Sequence, residues 1–387
     1  MQDTTVSSTA EACSLSDLSR YFLHLGTFGF GGPIALAGYM QKDLVETKQW
    51  ITKQEYLDGL ALAQLAPGPL AAQLAMYLGW VRFGVLGASV ISAAFILPSF
   101  LMVLALSWLY LKFGGLTWMQ GAFYGIGAAV IAIIARSAYK LCKLSLAKDK
   151  LLWAVFAINA VVTGWTESEL VLVFLASGLL VVLARLPAKS GAVALAVFPP
   201  WLVTGLYEPA GDDKLWKITW YFAEAGAFVF GSGLAIVPFL HGGVVNEMHW
   251  LTEQQFLDAV DVAMITPGPV VITVAFIGYL SAGPLGAVAA SIGVFVPCYL
   301  FVILPAPYYR RFGTNPHVKA FVQGVSAAAT GAIAGAAFVL GKRAIYDIPT
   351  VLIAGVTLVA LFRLRKAPEP LVIAIAGVAG LTLRSLL

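Results

Sequence analysis

Two prolines flank a glycine in the run Gln64-Leu65-Ala66-Pro67-Gly68-Pro69-Leu70-Ala71-Ala72-Gln73, and the run Met264-Ile265-Thr266-Pro267-Gly268-Pro269-Val270-Val271-Ile272-Thr273 repeats this arrangement 200 residues later. Proline interrupts a helix, and the residue before a proline is disfavoured in helical conformation. Each run therefore predicts one helix that ends and a second that begins, with Pro69 or Pro269 as its first residue. A purely structural kink would give the same pattern.

The composition places these breaks inside a membrane protein. The chain has 387 residues, of which 60% are hydrophobic and 11% are charged, and its mean hydropathy is +0.86. Soluble domains are about one-quarter charged. At about 20 residues for each crossing, the length allows roughly ten to fourteen apolar segments and excludes large aqueous domains. We predict an all-α polytopic membrane protein without a nucleic-acid-binding face.

The chain is an internal duplication. Residues 22–69 laid on residues 222–269 match at about sixteen positions without a gap, and the match resumes at an offset of 199, for example at Pro98 and Pro297. We therefore predict four parts, namely a polar N-terminal segment (1–20), a first membrane domain (21–206), a polar linker (207–217) and a second membrane domain (218–387).

Equivalent loops of the two halves differ in charge. Loop 41–55 contains three lysines, whereas its counterpart 241–255 contains neither Lys nor Arg. Basic loops remain on the cytoplasmic side, so we place loops 41–55, 136–150 and 185–189 in the cytoplasm. The two halves are thus predicted to be an inverted-topology repeat.

This inversion holds for either of two counts of membrane crossings. Five crossings separate the two equivalent loops if segments 22–40, 57–80 and 218–240 dip in and return as broken or re-entrant helices. Seven separate them if the last two cross fully. Both numbers are odd, although Lys342 and Arg343 fall on the wrong side in this scheme.

The breaks predict an anion-binding site. The free N–H groups and the positive dipole end of each second helix would point into the break, and paired interrupted segments mark the substrate site in transporters with inverted repeats. Glycine-rich runs in the preceding segments are expected to join the site, although close helix packing would also explain single glycines. The candidate substrate-binding residues are Gly31, Gly32, Pro33, Gln64, Pro67, Gly68, Pro69, Gln73, Gly231, Ser232, Gly233, Thr266, Pro267, Gly268, Pro269 and Thr273.

Charged residues near the breaks give further candidates. Two dipole ends offset only about half of a dianion, so hydroxyls, amides and the anion-attracting candidates Lys42 and Lys48 are expected to help. Interfacial snorkelling explains each lysine alone. Acids beside apolar segments are candidates for proton coupling, and these are Glu224, Asp58, Asp258 and Asp261. Helix capping would also explain Asp58 and Asp258.

The histidines and cysteines indicate no metal site and no cofactor. The four histidines have no HExxH spacing, and the three cysteines form no CxxC pair. An intramembrane enzyme would require paired carboxylates or a metal constellation, so we expect a transporter and not an enzyme. A channel would also accommodate broken helices.

Several motifs together resemble the chromate ion transporter family in its long, two-domain form. They are the run 28–33, the run 64–74, the run 228–238, the Trp250-Leu251-Thr252 approach and the run 266–273. The resemblance covers essentially the whole chain from about residue 20. One departure is Lys48-Gln49-Trp50, where many relatives have two basic residues before the tryptophan.

The resemblance implies a multi-pass protein of the cytoplasmic (inner) membrane that exports chromate and confers chromate resistance. The membrane potential or the proton motive force would drive this secondary transport. The alternative is a sulfate transporter or a chromate/sulfate exchanger, because the two oxyanions share shape and charge. The expected partners are the transported anion, membrane lipid and, in a homodimer, a second copy.

Overall fold

The structure is a computed structural model that describes residues 12–30, 32–113, 117–146, 148–166, 171–185, 213–228, 236–308, 315–363 and 369–384. Within these residues the chain is helical and contains no strand, which confirms the all-α prediction. Most of the predicted linker, together with Gly31, Gly231, Ser232 and Gly233, lies outside the described residues.

The helices of the first half are α1 (Leu15–Phe28), α2 (Gly32–Met40), α3 (Lys53–Leu65), α4 (Leu70–Phe113), α5 (Thr117–Ser145), α6 (Lys150–Thr166) and α7 (Val171–Arg185), with a π-helix at Gln41–Thr47. Those of the second half are α8 (Lys214–Phe228), α9 (Ile236–His241), α10 (Glu253–Ile265), α11 (Thr273–Ile303), α12 (Pro316–Ala344), α13 (Ile348–Arg363) and α14 (Glu369–Arg384). A π-helix at Gly242–Glu247 and 3₁₀ turns at Val270–Ile272 and Ala306–Tyr308 complete the second set.

Four of the described helical stretches are long and apolar enough to cross a membrane. They are Leu70–Phe113, Trp118–Lys143, Val270–Tyr308 and Pro316–Ala344. The shorter apolar helices, such as α6 and α13, pack beside them. The prediction of a polytopic membrane protein is supported by these lengths and by the composition.

Unusual backbone conformations recur in both halves. Gln49 and His249 have φ angles of 51° and 50°, and Gly84 and Gly283 have φ angles of 62° and 65°. At Gly84 and Gly283 a kink interrupts the helix, so α4 consists of a short arm (70–82) and a long arm (85–113). Likewise, α11 has a short arm (273–281) and a long arm (285–303).

Capping boxes fix the starts of α3 and α10. Thr52 and Glu55 cap each other's backbone N–H groups at α3, and Thr252 and Gln255 do the same at α10. Asp58 and Asp258 lie farther along these helices and take no part in the caps, so the capping explanation of the two acids was wrong.

The interrupted segments fold back on themselves as helical hairpins. In the first half, Arg82 Nη2 lies 3.0 Å from Glu55 Oε2, so the start of α3 and the end of the short arm of α4 lie together. Farther along the hairpin, Gly59 of α3 packs against the ring of Tyr77 in the short arm of α4. Segment 57–80 therefore folds back on itself, with residues 66–69 at its tip.

The flanking helices are exchanged between the halves. α6 and α7 pack on α12 of the second half, whereas α13 and α14 pack on α5 of the first. Glycines permit these contacts: a β-carbon at Gly331 of α12 would lie 2.3 Å from the carbonyl oxygen of Phe156 in α6. One continuous hydrophobic core includes residues of both halves, so the two duplicated parts are not separate in space.

We expect Gly331→Val to destabilise the protein by about 1–3 kcal/mol, because the obstacle is main chain and cannot rotate away. Gly355→Val is the matched control, since Gly355 lies in helix α13 with no neighbouring atom within 4 Å of an added β-carbon. Thermal unfolding of the detergent-purified variants measures the effect. Equal melting temperatures for the two variants would contradict the exchanged packing.

Candidate functional site

Each Pro-Gly-Pro turn packs against the long arm of the other half. A β-carbon at Gly68 would lie 3.0 Å from Cys298 Sγ of α11, and one at Gly268 would lie 2.0 Å from Ser99 Oγ of α4. Ser99 and Cys298 occupy equivalent positions, directly after Pro98 and Pro297. The two turns are therefore held in equivalent ways, each by a short polar side chain of the opposite half.

The same side chains also contact helices α1 and α8, which precede the two hairpins in the sequence. Ser99 Oγ donates to the carbonyl oxygen of Gly26 at 3.3 Å, and Cys298 Sγ lies 3.5 Å from that of Gly226 and 3.0 Å from that of Val294. In addition, the Gly268 N–H donates to the carbonyl oxygen of Gly29 at 3.0 Å. The end of α1 and the second Pro-Gly-Pro turn, predicted to share one site, are thus in contact.

Both turns require glycine. Gly68 and Gly268 have φ angles of 134° and 95°, in a region that side chains with a β-carbon rarely adopt. The helical residues begin at Leu70 and Val270, one residue later than predicted. Pro269 is extended, with ψ at 123°, because it closes the turn before the 3₁₀ helix starts.

Three of the side chains predicted to bind an anion donate hydrogen bonds to nearby carbonyl oxygens. Gln73 is fully buried and its Nε2 donates to the Pro67 carbonyl at 2.5 Å. Thr266 Oγ1 donates to Val262 at 2.7 Å, and Thr273 Oγ1 donates to Val270 at 2.8 Å. These contacts stabilise the broken ends, and the donors that a helix start leaves unpaired are its first main-chain N–H groups.

Other predicted residues lie toward the surface. Gln64 is exposed on α3, while Gly32 and Pro33 are half-buried at the start of α2. Lys42 and Lys48 are exposed, and Lys48 Nζ lies 4.4 Å from the ring centroid of Trp50. The 13 residues of α3, about 20 Å of helix, separate this loop from the tip of the hairpin.

The predicted acids divide into two groups. Asp258 and Asp261 are buried in α10, beside a cavity of about 410 Å³. Glu224 on α8 and Asp58 on α3 are half-buried, and Asp58 Oδ1 accepts a hydrogen bond from Gln54 Nε2 at 2.8 Å. All four acids were candidates for proton coupling on sequence grounds, but only Asp258 and Asp261 are buried.

Arg343, which did not fit the predicted charge distribution, has a local partner. Its guanidinium binds the carboxylate of Glu253 and contacts His241 Nε2. His241 Nε2 also lies 3.0 Å from Glu253 Oε2. Arg343 is therefore located beside loop 241–255, where an acidic group compensates its charge.

Comparison with known proteins identifies the family. A family model described as "Chromate transporter" matches residues 16–182 and 216–381, one match in each half. The chain belongs to the chromate transporter family. The resemblance noted from the motifs is thereby confirmed, and the chain is a member of a transporter family and not an enzyme.

Curated chromate transporter relatives match over nearly their full lengths. A "Chromate transport protein" of Cupriavidus metallidurans is 58% identical over 98% of this chain and 96% of its own length. A "Probable chromate transport protein" of Synechococcus elongatus is 54% identical over 95% of each chain. A "Chromate transport protein" of Pseudomonas aeruginosa is 32% identical over 98% and 94%. No solved structure matches this chromate transporter chain.

Ser99 and Cys298 were absent from the residues predicted for this chromate transporter. Their signal in the sequence was the alignment of Pro98 with Pro297, which places a short polar side chain next in both halves. Residue type alone could not show that these positions contact the turns, because the contacts join different halves.

We expect Gly268→Ala to reduce chromate transport by at least about tenfold, because the added methyl group would displace Ser99 and open the turn. Gly283→Ala is the matched control: Gly283 has a φ of 65° but no atom within 4 Å of an added β-carbon. Chromate flux per membrane-inserted protein measures the difference. An equal loss of flux in the two variants would show that the strained angle matters and the close approach does not, and wild-type flux in Gly268→Ala would contradict the prediction.

Proposed function

We propose that this protein is a secondary transporter that exports chromate from the cytoplasm across the cytoplasmic membrane and so confers chromate resistance. The observation that supports the proposal is the packing of each Pro-Gly-Pro turn against the long arm of the opposite half, and in the proposal the two helix starts form one site. Membership of the chromate transporter family and the names of the relatives support chromate as the substrate.

The proposed anion site uses main-chain donors. The N–H groups of Leu70 and Ala71, together with those of Val270 and Val271, belong to the first turns after the two breaks. Each helix start contributes about half a positive charge. The Gly268 N–H is already paired with Gly29, so the site is expected to use the N–H groups beyond the prolines.

Contacts at the two ends of α4 support an inverted arrangement of the halves. Arg82, just before the long arm, binds Glu55 of the first hairpin at 3.0 Å. Near the other end of that arm, Tyr110 OH donates to Asp258 Oδ2 of the second hairpin at 2.7 Å. About 40 Å of helix separates the two contacts, which is enough to cross a membrane. The two hairpins therefore enter from opposite sides in this proposal.

The positions of basic residues give the orientation. Arg185 Nη2 lies 2.5 Å from Asp149 Oδ2, which joins two loops that the positive-inside rule places in the cytoplasm. With these loops and the loop of Lys42 and Lys48 inside, chromate would reach the first hairpin from the cytoplasm. The exposed lysines would attract the anion at this entrance.

The membrane potential can supply the driving force. A charge that moves across 100 mV gains about 2.3 kcal/mol, so a dianion leaving a negative-inside cell gains about 4.6 kcal/mol. Export against a chromate gradient therefore needs no other energy source. Proton entry in exchange would add to this driving force.

We expect purified protein in liposomes to release chromate when a potential is imposed that is negative on the chromate side. Release should occur without sulfate on the opposite side, and it should saturate with chromate concentration, as a carrier does. Protein-free liposomes are the control. Release that requires external sulfate would replace the proposal with chromate/sulfate exchange, and release that does not saturate would indicate a channel.

The inverted topology is tested with single cysteines at two equivalent exposed positions. We expect a membrane-impermeant maleimide to label Asn246→Cys in intact cells and to label Glu46→Cys only after lysis. The background chain has Cys13→Ala, Cys142→Ala and Cys298→Ser, the last matching Ser99. Labelling of both positions from the same side would contradict the inversion.

A further inference from the structure

A polar cavity of about 410 Å³ lies beside α10, between this helix, α5 and the end of α4. Residues that line it include Tyr110, Gly127, Gln254, Asp258 and Asp261. Neither Pro-Gly-Pro turn forms part of its wall. The cavity is therefore distinct from the proposed anion site, and its acidic lining does not suit an anion.

Two buried carboxylates face this cavity. Asp258 and Asp261 are 5% and 3% exposed, and their spacing of three residues places them on one side of α10. Asp258 accepts hydrogen bonds from Tyr110 OH at 2.7 Å and from Gln254 Nε2 at 2.9 Å. Among the described residues, Asp261 has no hydrogen-bond partner, and the charged side chain that acts on it is that of Asp258.

The cationic group at the cavity is already bound. Arg343 of α12 lines the cavity, but its guanidinium binds Glu253 and contacts His241, both outside the Asp258 and Asp261 pair. No group of three or more His, Cys, Asp or Glu side chains in the described residues can hold a metal ion.

Titratable side chains on the other elements beside the cavity have hydrogen-bond partners of their own. Tyr124 of α5 donates to Asp347 Oδ2 at 2.5 Å. Partial burial raises the pKa of Asp347, but the hydrogen bonds from Tyr124 and Thr350 together outweigh this effect. The pKa of Asp347 is therefore below its ordinary value, and this acid is ionised at neutral pH. Tyr346 also lines the cavity, and its ring packs edge to face on that of Tyr124.

Helix α14 brings no free charge to the pair. It packs near the end of α10 through apolar side chains such as Ile373. Its acid Glu369 lies 3.4 Å from Arg136 of α5. Helix α11 approaches Tyr110 with the apolar Phe276, whose ring centroid is 5.2 Å from that of Tyr110.

We infer that Asp261, paired with Asp258, is a proton-binding site that couples proton movement to the anion transport proposed above. Two buried carboxylates on adjacent turns of a helix cannot both remain charged at low cost. A proton from water in the cavity converts the Asp261 carboxylate to a carboxylic acid and leaves the pair with one negative charge. The bound proton is released to water when the pair becomes exposed.

Asp261 is connected to the second break through one helical turn. The next residue, Val262, has a carbonyl oxygen that accepts from both the N–H and the hydroxyl of Thr266, at 3.1 and 2.7 Å. Thr266 directly precedes the second Pro-Gly-Pro turn. A change of charge at Asp261 therefore acts on the turn of helix that ends at the anion site.

The first half provides a natural control, because it has an incomplete copy of the pair. The equivalent of Asp258 is Asp58, but the equivalent of Asp261 is Ala61. Asp58 is half-buried and accepts a hydrogen bond from Gln54, and it lacks a second carboxylate one turn later with which to share a proton. Substitution of the two aspartates thus separates a specific effect from a general loss of charge.

The experiment uses full-length protein in liposomes, with the potential clamped at zero and a pH gradient of one unit. For the wild type we expect the chromate concentration ratio at steady state to shift about tenfold for each coupled proton. Asp261→Asn should show no shift, whereas Asp58→Asn should keep it. Exchange of labelled for unlabelled chromate at equal pH should persist in Asp261→Asn, because Asn resembles the protonated acid, and this shows that the variant is folded.

Three results would overturn the inference. They are a pH-driven shift that survives Asp261→Asn, loss of the shift in Asp58→Asn, and a shift driven by a sodium gradient in place of the proton gradient. Failure of the proposed function is distinct, since the wild type would then move no chromate even under a membrane potential.

Proton binding is also measurable without transport. The infrared C=O stretch of a protonated carboxyl should be present in the detergent-purified wild type at neutral pH. It should be lost in Asp261→Asn and kept in Asp58→Asn. An unchanged band in Asp261→Asn would overturn the assignment whichever anion the protein carries.

Discussion

The structure depends on how broken helices satisfy their main-chain polar groups within an apolar interior. A free N–H or carbonyl group is costly in lipid, so a helix can be interrupted there only where protein groups approach closely. Gly268 meets this constraint by donating its N–H to Gly29, with Ser99 against its α-carbon. A larger residue at position 268 would separate the turn from the end of α1 and break the hydrogen bond between the Gly268 N–H and the Gly29 carbonyl group.

The same constraint explains why the two halves are interleaved. A half that packed only on itself would have to satisfy its break with its own side chains, as Gln73 does for Pro67. Instead, each turn uses the opposite long arm, and α6 and α7 cover α12 of the other half. A movement of one hairpin therefore changes the contacts of the other half directly, which couples the two halves mechanically.

The sequence was informative where chemistry is local. Proline and glycine determine the backbone at their own positions, so the two Pro-Gly-Pro runs and the recurrence of residues at a fixed offset were enough to predict the hairpin tips. Contacts between halves are not local, and nothing in the run around Ser99 points to Gly268. Apolar helices also lack a polar face, so periodicity could not show that α6 packs on α12. The start of the helix after Pro269 was displaced by one residue because the proline is extended.

The difference between the halves matters more for coupling than their similarity. A proton shifts a conformational equilibrium only by the difference in its affinity for the two states. Asp58 of the first hairpin is half-buried, whereas Asp261 of the second is only 3% exposed in this conformation. Its affinity must change if a movement of α10 opens the cavity further to water. Duplication supplied the two hairpins, and one additional carboxylate in the second gives them a means to respond to protons.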